Sequence, residues 1–535
     1  MRLEQAQPAD LTISLGVDAG LPAEGFRLGD GAPGEIRIDG GSPRAVVYGV
    51  GKLLRTSQCG PGKFVPGAWR GCSAPEKPLR GIYFASHFHN YYHNAPLPEA
   101  ERYIEELALW GYNALIVWFN MHHYRGIDDP AAQRMLERLR QLLKAARRIG
   151  MGAGIVVLAN EGYRTTPEAL RAMPTGRSHY GVEVCPSQPG GRELILRNIA
   201  GELDVFADVG LDVFGLGPYD QGGCGCAQCV PWGINGFLRM GRAIAGLVRA
   251  RFPGVKVLLS TWLFDFCPPL GEWEGLARAF TPKPEWVDYL VVDSHDEFPK
   301  YPLAHGAPGG LPMLSFPEIS MWEIHPWGGF GASPLPARFQ RLWNIIGDRL
   351  AGGFPYSEGI YEDITKAVVS RFYWDGKTQA ADTVREYLAY EFGAENAAEL
   401  AAVVEAMEAN HAHSVMMTFA DGKERLSCYQ PTRERTATYR FAMPRADWER
   451  VEQTWQTVQG VDARLAPRVR AAWRWRLLYL RAAIDHEIHL TGGRPSALLE
   501  THFQELCRIY HVRDTVAYVA PPTQHNVMHA PVQSE

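Results

Sequence analysis

Apolar and polar positions alternate with a period of two over LTISL at 11–15 and EIRID at 35–39, then change to a helical spacing over 42–54. Alternation puts one face of a strand in a core, whereas recurrence every three to four residues draws an apolar stripe along a helix. The opening stretch therefore predicts a small N-terminal α/β domain over residues 1–78. From Arg80 onward short continuous apolar runs, the mark of strands buried on both faces, alternate with amphipathic helical runs. The runs fall at 81–85, 114–118, 153–158, 213–216, 255–259, 289–292, 313–315 and 353–356, with helical patterns such as 98–109, 131–149, 192–209 and 234–251 between them. Eight repeats of this kind predict an α/β chain whose centre, residues 79–376, closes into a (β/α)8 TIM barrel. A doubly wound open sheet is the alternative.

Beyond Gly376 the strand signal fades, and helical patterns follow at 383–391, 397–410, 447–463, 469–491 and 496–510. They predict a C-terminal helical domain over 377–520, with 521–535 as a tail. Aromatic side chains at helical spacing normally pack between helices, so Trp448, Trp455, Trp473 and Trp475 are expected in its core.

Composition narrows the partners. A net charge of −5 over 535 residues argues against nonspecific nucleic-acid binding, which needs a basic face. The N-terminus lacks the apolar run of a secretory signal, and no segment approaches the ~20 uncharged residues of a membrane span, so a cytoplasmic protein is expected. Nine cysteines, an odd number, favour reduced thiols or metal ligation over a disulfide framework.

In a barrel of this type the C-terminal strand ends face the catalytic mouth. Those ends carry His87 and His89, Asn120 with His122 and His123, Asn160 and Glu161, Tyr219 and Asp220, Trp262 and Asp265, Asp293 with His295, Glu318, Trp322 with Trp327, and Glu358. Carboxylates and amides bind hydroxyl groups, and flat rings cover the apolar faces of a pyranose. The set thus points to a carbohydrate as the small-molecule substrate, with no nucleic-acid or membrane partner and with homo-oligomer formation left open.

The wording GFRL…IRIDGGSPRAVVYGVGKLLR resembles the accessory domain that precedes the barrel in family 20 β-hexosaminidases and family 67 α-glucuronidases. Together with LRGIYFASHFHNYY, YIEELALWGYNALIVWF, CGCAQCVPWG and YSEGIYEDITKAVVSRFYWD, it makes the chain resemble glycoside-hydrolase-type barrels related to families 20, 67 and 84. The resemblance implies glycosidase chemistry by two acids, about 5–5.5 Å apart for retention or about 6.5–9.5 Å for inversion. Asp220, after the fourth strand, is expected to be the general acid. Its partner is Glu318 after the seventh, Glu358 after the eighth or Asp293 after the sixth. Glu318 is favoured as nucleophile or base because the commonest barrel glycosidases place their acids after strands four and seven. Where family 20 has Asp-Glu and family 84 Asp-Asp, this chain has Asp220-Gln221, which weighs against acetamido-assisted chemistry. Two rival readings are a metal-dependent sugar isomerase or lyase using His87, His89, His122 and His123, and a sugar-binding barrel without catalysis.

Catalysis of this kind needs no cofactor, but Cys224, Cys226 and Cys229 put three thiols within six residues. That spacing suits a structural Zn2+, whose fourth ligand would come from Cys267, Cys185 or a histidine, with Cys267 preferred. Free cysteines packing a Gly-rich turn are the equally weighted alternative. The glycines lack the lysine of a phosphate loop and the spacing of a dinucleotide motif.

Overall fold

The computed structural model describes residues 10–60, 62–86, 91–175, 181–219, 222–266, 269–294, 298–319, 334–410, 415–418, 424–427, 438–441, 447–492 and 496–511. The N-terminal unit is a four-stranded sheet. Thr12–Val17 runs parallel to Glu35–Gly40, and Phe26–Asp30 pairs antiparallel with both Glu35–Gly40 and Gly71–Ser73. Helix Pro43–Thr56 covers it, with Pro43 preset for the first turn and Ser42 Oγ accepting the Ala45 N–H. Leu28, Ile36, Ile38 and Leu53 form the core between sheet and helix. The two strands and the helix read from periodicity are present. Phe26–Asp30 and Gly71–Ser73 are additions, too short for periodicity to mark.

Eight parallel strands then close into a barrel: Leu79–Phe84, Ala114–Trp118, Gly152–Leu158, Val213–Gly217, Lys256–Ser260, Tyr289–Ser294, Met313–Pro317 and a divided eighth, Leu350–Gly353 and Tyr356–Ser357. Both pieces of the eighth pair with the first, in register Gly352↔Leu79, Gly353↔Arg80, Tyr356↔Tyr83 and Ser357↔Phe84. The expected strand at 353–356 straddles the break between them. Pro355 has no N–H to give the ladder, yet its carbonyl still accepts the Tyr83 N–H at 3.1 Å. Gly352 sits at φ +128°, and a Cβ there would lie 1.7 Å from the Leu79 carbonyl oxygen, so closure needs glycine.

A recurring device sets the register at the N-terminal rim. Asn113, Asp212 and Asp288 each precede an even-numbered strand, and each accepts a backbone N–H of the strand before it: Arg80, Ala153 and Val257, all at 2.8 Å. Side-chain acceptors there satisfy donors that the ladder leaves over.

The C-terminal helices Ala380–Phe392, Ala397–Asn410, Trp448–Arg464, Trp473–Thr491 and Ala497–Ile509 match the predicted patterns closely. The three short antiparallel strands Val415–Thr418, Glu424–Ser427 and Thr438–Phe441 were not expected. Trp475 is fully buried and donates to Asp462 at 2.8 Å, whereas Trp448 is 37% exposed and stacks on His489, so it is not core. The helices dock on the barrel through Arg474, which meets Asp363 at 2.7 Å and Glu106 at 2.6 Å. Among the described residues no helix is long and apolar enough to cross a membrane.

Candidate active site

The seventh strand ends at Pro317, and Glu318 continues the pairing by one bridge to Tyr356 on the eighth. This brings Glu318 and Glu358, 4% and 3% exposed, to neighbouring strand ends. Tyr356 Oη donates to Glu358 Oε1 at 3.1 Å. Behind them Glu362 accepts from Ser357 Oγ at 2.6 Å and pairs with the buried Lys366 at 3.3 Å. Burial, followed by the charges of Glu318 and Glu362, holds the Glu358 carboxyl well above the usual carboxylate range despite the Tyr356 hydrogen bond. Two buried carboxyls at neighbouring strand ends do not both ionise readily, and the protonated form of Glu358 is the one favoured.

A further buried carboxyl follows the third strand. Glu161, just past the third strand, accepts Trp118 Nε1–H at 3.2 Å and the His122 N–H at 3.2 Å, and its Oε1 lies 3.0 Å from His122 Nδ1. Burial pushes Glu161 up to about 8 and His122 down to about 3. At pH 7 the pair holds one proton, on the carboxyl. His123 packs edge-on to His122 and faces the Asn120 amide at 3.4 Å.

Aromatic rings cluster at the ends of strands one, five, seven and eight. Tyr83, Phe316 and Tyr356 lie within ring-contact distance of one another at 5.3–6.0 Å, and Trp262 meets Phe316 edge-on at 6.2 Å. Asp293, half-buried, stands opposite Phe316 in the register of strands six and seven. Acids beside partly exposed rings are the equipment for binding a polyhydroxylated ring and transferring a proton to it.

Of the residues singled out in the sequence, Asn120, His122, His123, Trp262, Asp293, Glu318 and Glu358 lie at the C-terminal strand ends. Tyr219 does as well, but it is buried and its hydroxyl donates to Glu272, which also accepts the Gly233 N–H at 2.9 Å. It braces the loop with Gly233 through Glu272. Asp265 likewise caps helix Glu272–Ala279, accepting the N–H groups of Gly271 and Glu272 at 2.7 and 2.9 Å. His87, His89, Asp220, Cys267, His295, Trp322 and Trp327 lie outside the described residues. Glu161 was named at its strand end without a role, and Phe316, Tyr356 and Glu362 went unnamed. Glu362 lies four positions beyond Glu358, just before helix Asp363–Trp374.

No protein-family model matches the chain, and no curated protein matches it. Solved structures do. The family 89 glycoside hydrolase from Clostridium perfringens, in complex with GlcNAc-α-1,4-galactose, aligns at TM-score 0.62 and 10% identity over 93% of this chain and 62% of that one. A family 115 4-O-methyl-α-glucuronidase with specificity for decorated arabinogalactans aligns at 0.58 and 12% over 95% and 69%, and a family 84 structure at 0.53 and 10% over 91% and 82%. The fold is that of the glycoside-hydrolase barrels. It is the group that the sequence resembles, and identities of 10–12% extend the likeness to fold alone. The chain spans less than two thirds of the length of the family 89 enzyme.

Proposed function

We propose that the protein is a glycoside hydrolase acting at the end of a small glycan or glycoside, with Glu318 as nucleophile or base and Asp220 as general acid. The observation that carries the reading is the pair of buried carboxyls, Glu318 and Glu358, at neighbouring strand ends beside the Tyr83, Phe316 and Tyr356 rings. Asn120, His123, Trp262 and Asp293 then serve as contacts for sugar hydroxyls and ring faces. A second reading makes Glu358 the acid, because burial and the neighbouring Glu318 and Glu362 carboxyls push it well above the usual carboxylate range, the direction an acid needs.

A panel of aryl glycosides that includes uronides and N-acetylhexosaminides tests the reading. Asp220→Asn should lower turnover of poor leaving groups by orders of magnitude and spare activated ones, while Glu318→Gln should fail on both. If Glu358→Gln shows that leaving-group dependence and Asp220→Asn does not, the second reading holds. Near-normal activity of Glu318→Gln overturns both. Sugar binding without turnover across the panel marks a non-catalytic barrel.

A further inference from the structure

The loops that follow strands three and four converge on four sulfur atoms. Cys224, Cys226 and Cys229 come from the Gly-rich loop after strand four, and Cys185 reaches them from the loop after strand three. All four Sγ atoms lie within 4.8 Å of one another, and Cys185 Sγ and Cys226 Sγ are 3.7 Å apart. Four thiolates about 2.3 Å from a tetrahedral Zn2+ stand about 3.8 Å from each other. The observed separations, 3.7 Å for one pair and no more than 4.8 Å for any, are therefore within about 1 Å of a zinc shell. Cys185, Cys224 and Cys229 are buried and Cys226 is half-buried, as in a closed site with no open coordination position.

The surroundings suit a tetrathiolate. The backbone N–H of Ser187 faces the Cys185 sulfur and that of Cys226 faces the Cys224 sulfur, so two thiols receive a donor from the residue two places on. N–H groups so placed can donate to metal-bound sulfur. Ser187 Oγ lies 3.2 Å from Cys229 Sγ, and Arg239 reaches Ser187 Oγ at 3.4 Å and the Gln228 carbonyl at 2.6 Å. A guanidinium at the rim offsets part of the double negative charge of Zn2+ with four thiolates. Packing of neutral thiols asks for none of these features.

We propose that Cys185, Cys224, Cys226 and Cys229 bind one structural zinc ion that ties the loop after strand three to the loop after strand four. With four thiolates the ion has little Lewis acidity, so its work is to hold in place the loop in which Asp220 occurs. Cys185 takes the position first expected of Cys267.

The full chain, purified under reducing conditions without chelator, is expected to contain close to one zinc per chain by elemental mass spectrometry. Cys185→Ser should retain less than a tenth of it, while Cys267→Ser should retain it all. Should Cys185→Ser fail to fold, the wild-type chain reconstituted with Co2+ should show the intense visible bands of tetrahedral sulfur ligation. Four alkylatable thiols with no metal, a Cys185–Cys226 disulfide, zinc retained by Cys185→Ser, or cobalt without those bands would each overturn the proposal.

Discussion

The side-chain amide of Asn160 grips both backbone polar groups of Gly223: Nδ2 donates to the Gly223 carbonyl at 2.8 Å, and Oδ1 accepts the Gly223 N–H at 2.9 Å. The same Nδ2 donates to the Val184 carbonyl at 2.9 Å, one residue before Cys185. One fully buried residue at the end of strand three thus joins the two loops that the cysteines also join.

Asn160→Ala should lower stability by about 2–4 kcal/mol, since it strands two carbonyls and an N–H in a site closed to water. Asn160→Asp should be nearly as damaging because a carboxylate donates to neither carbonyl. Urea unfolding at fixed pH measures both, and a loss below about 0.5 kcal/mol for either would show that the clamp is dispensable.

The Glu161–His122 pair predicts a stability plateau. Free Glu and His titrate near 4.5 and 6.5, whereas within the fold these two titrate at about 8 and about 3. Between pH 4.5 and 6.5 folded and unfolded chains each keep one proton on the pair, and stability is flat. From 6.5 to 8 only the folded pair holds a proton, so stability falls as pH rises, by about 1–2 kcal/mol in all. Below 4.5 the unfolded pair takes up a second proton that the folded pair refuses until about 3, and stability falls again. Unfolding free energies from pH 5 to 9 should show the alkaline loss in the wild type and not in Glu161→Gln. Parallel curves would contradict the pairing.

Glu202, on helix Gly191–Val205, is fully buried, and neither of its carboxyl oxygens has a hydrogen-bond partner among the described residues. Burial, and then the charge of Glu161, holds it well above the usual range. Glu202→Met keeps the volume and removes the desolvated group, so it should stabilise the protein by about 1–3 kcal/mol. A lower urea midpoint would reveal a partner that holds the carboxyl.

Tyr510 links the C-terminal helices to the acids. Its hydroxyl donates to the Glu358 carbonyl at 2.5 Å, and its ring packs on Tyr361 at 4.5 Å. Tyr510→Phe should cost about 1–2 kcal/mol. Turnover of aryl glycosides should fall more than affinity if the bond positions Glu358, whereas an unchanged kcat would make Tyr510 a packing residue only.

Local pattern was enough to count the barrel. Runs such as ALIVW at 114–118, buried along their whole length, are legible because a strand covered on both faces has no polar side to blur the signal. Amphipathic helices were legible for the matching reason, that one stripe is dry and the other wet. The division of the eighth strand and the three- to four-residue sheet strands were not, because pieces that short leave too few positions to establish a period.

At the site, residue type placed Glu318, Glu358 and His122 at strand ends, since a polar residue directly after a buried apolar run has only the mouth to occupy. What each does there depends on neighbours far away in the chain. Tyr219 and Asp293 look alike as strand-end polar residues, yet Glu272 on another element takes the Tyr219 hydroxyl while Asp293 stays half-open. Likewise Cys224, Cys226 and Cys229 announce a cluster by spacing alone, but it is the pairing of strands three and four that brings Cys185, 39 residues before the first of them, alongside. Periodicity records which side of an element is buried. Which groups meet across the barrel, and so which acids keep their protons, is set by strand register and loop packing, which no local window contains.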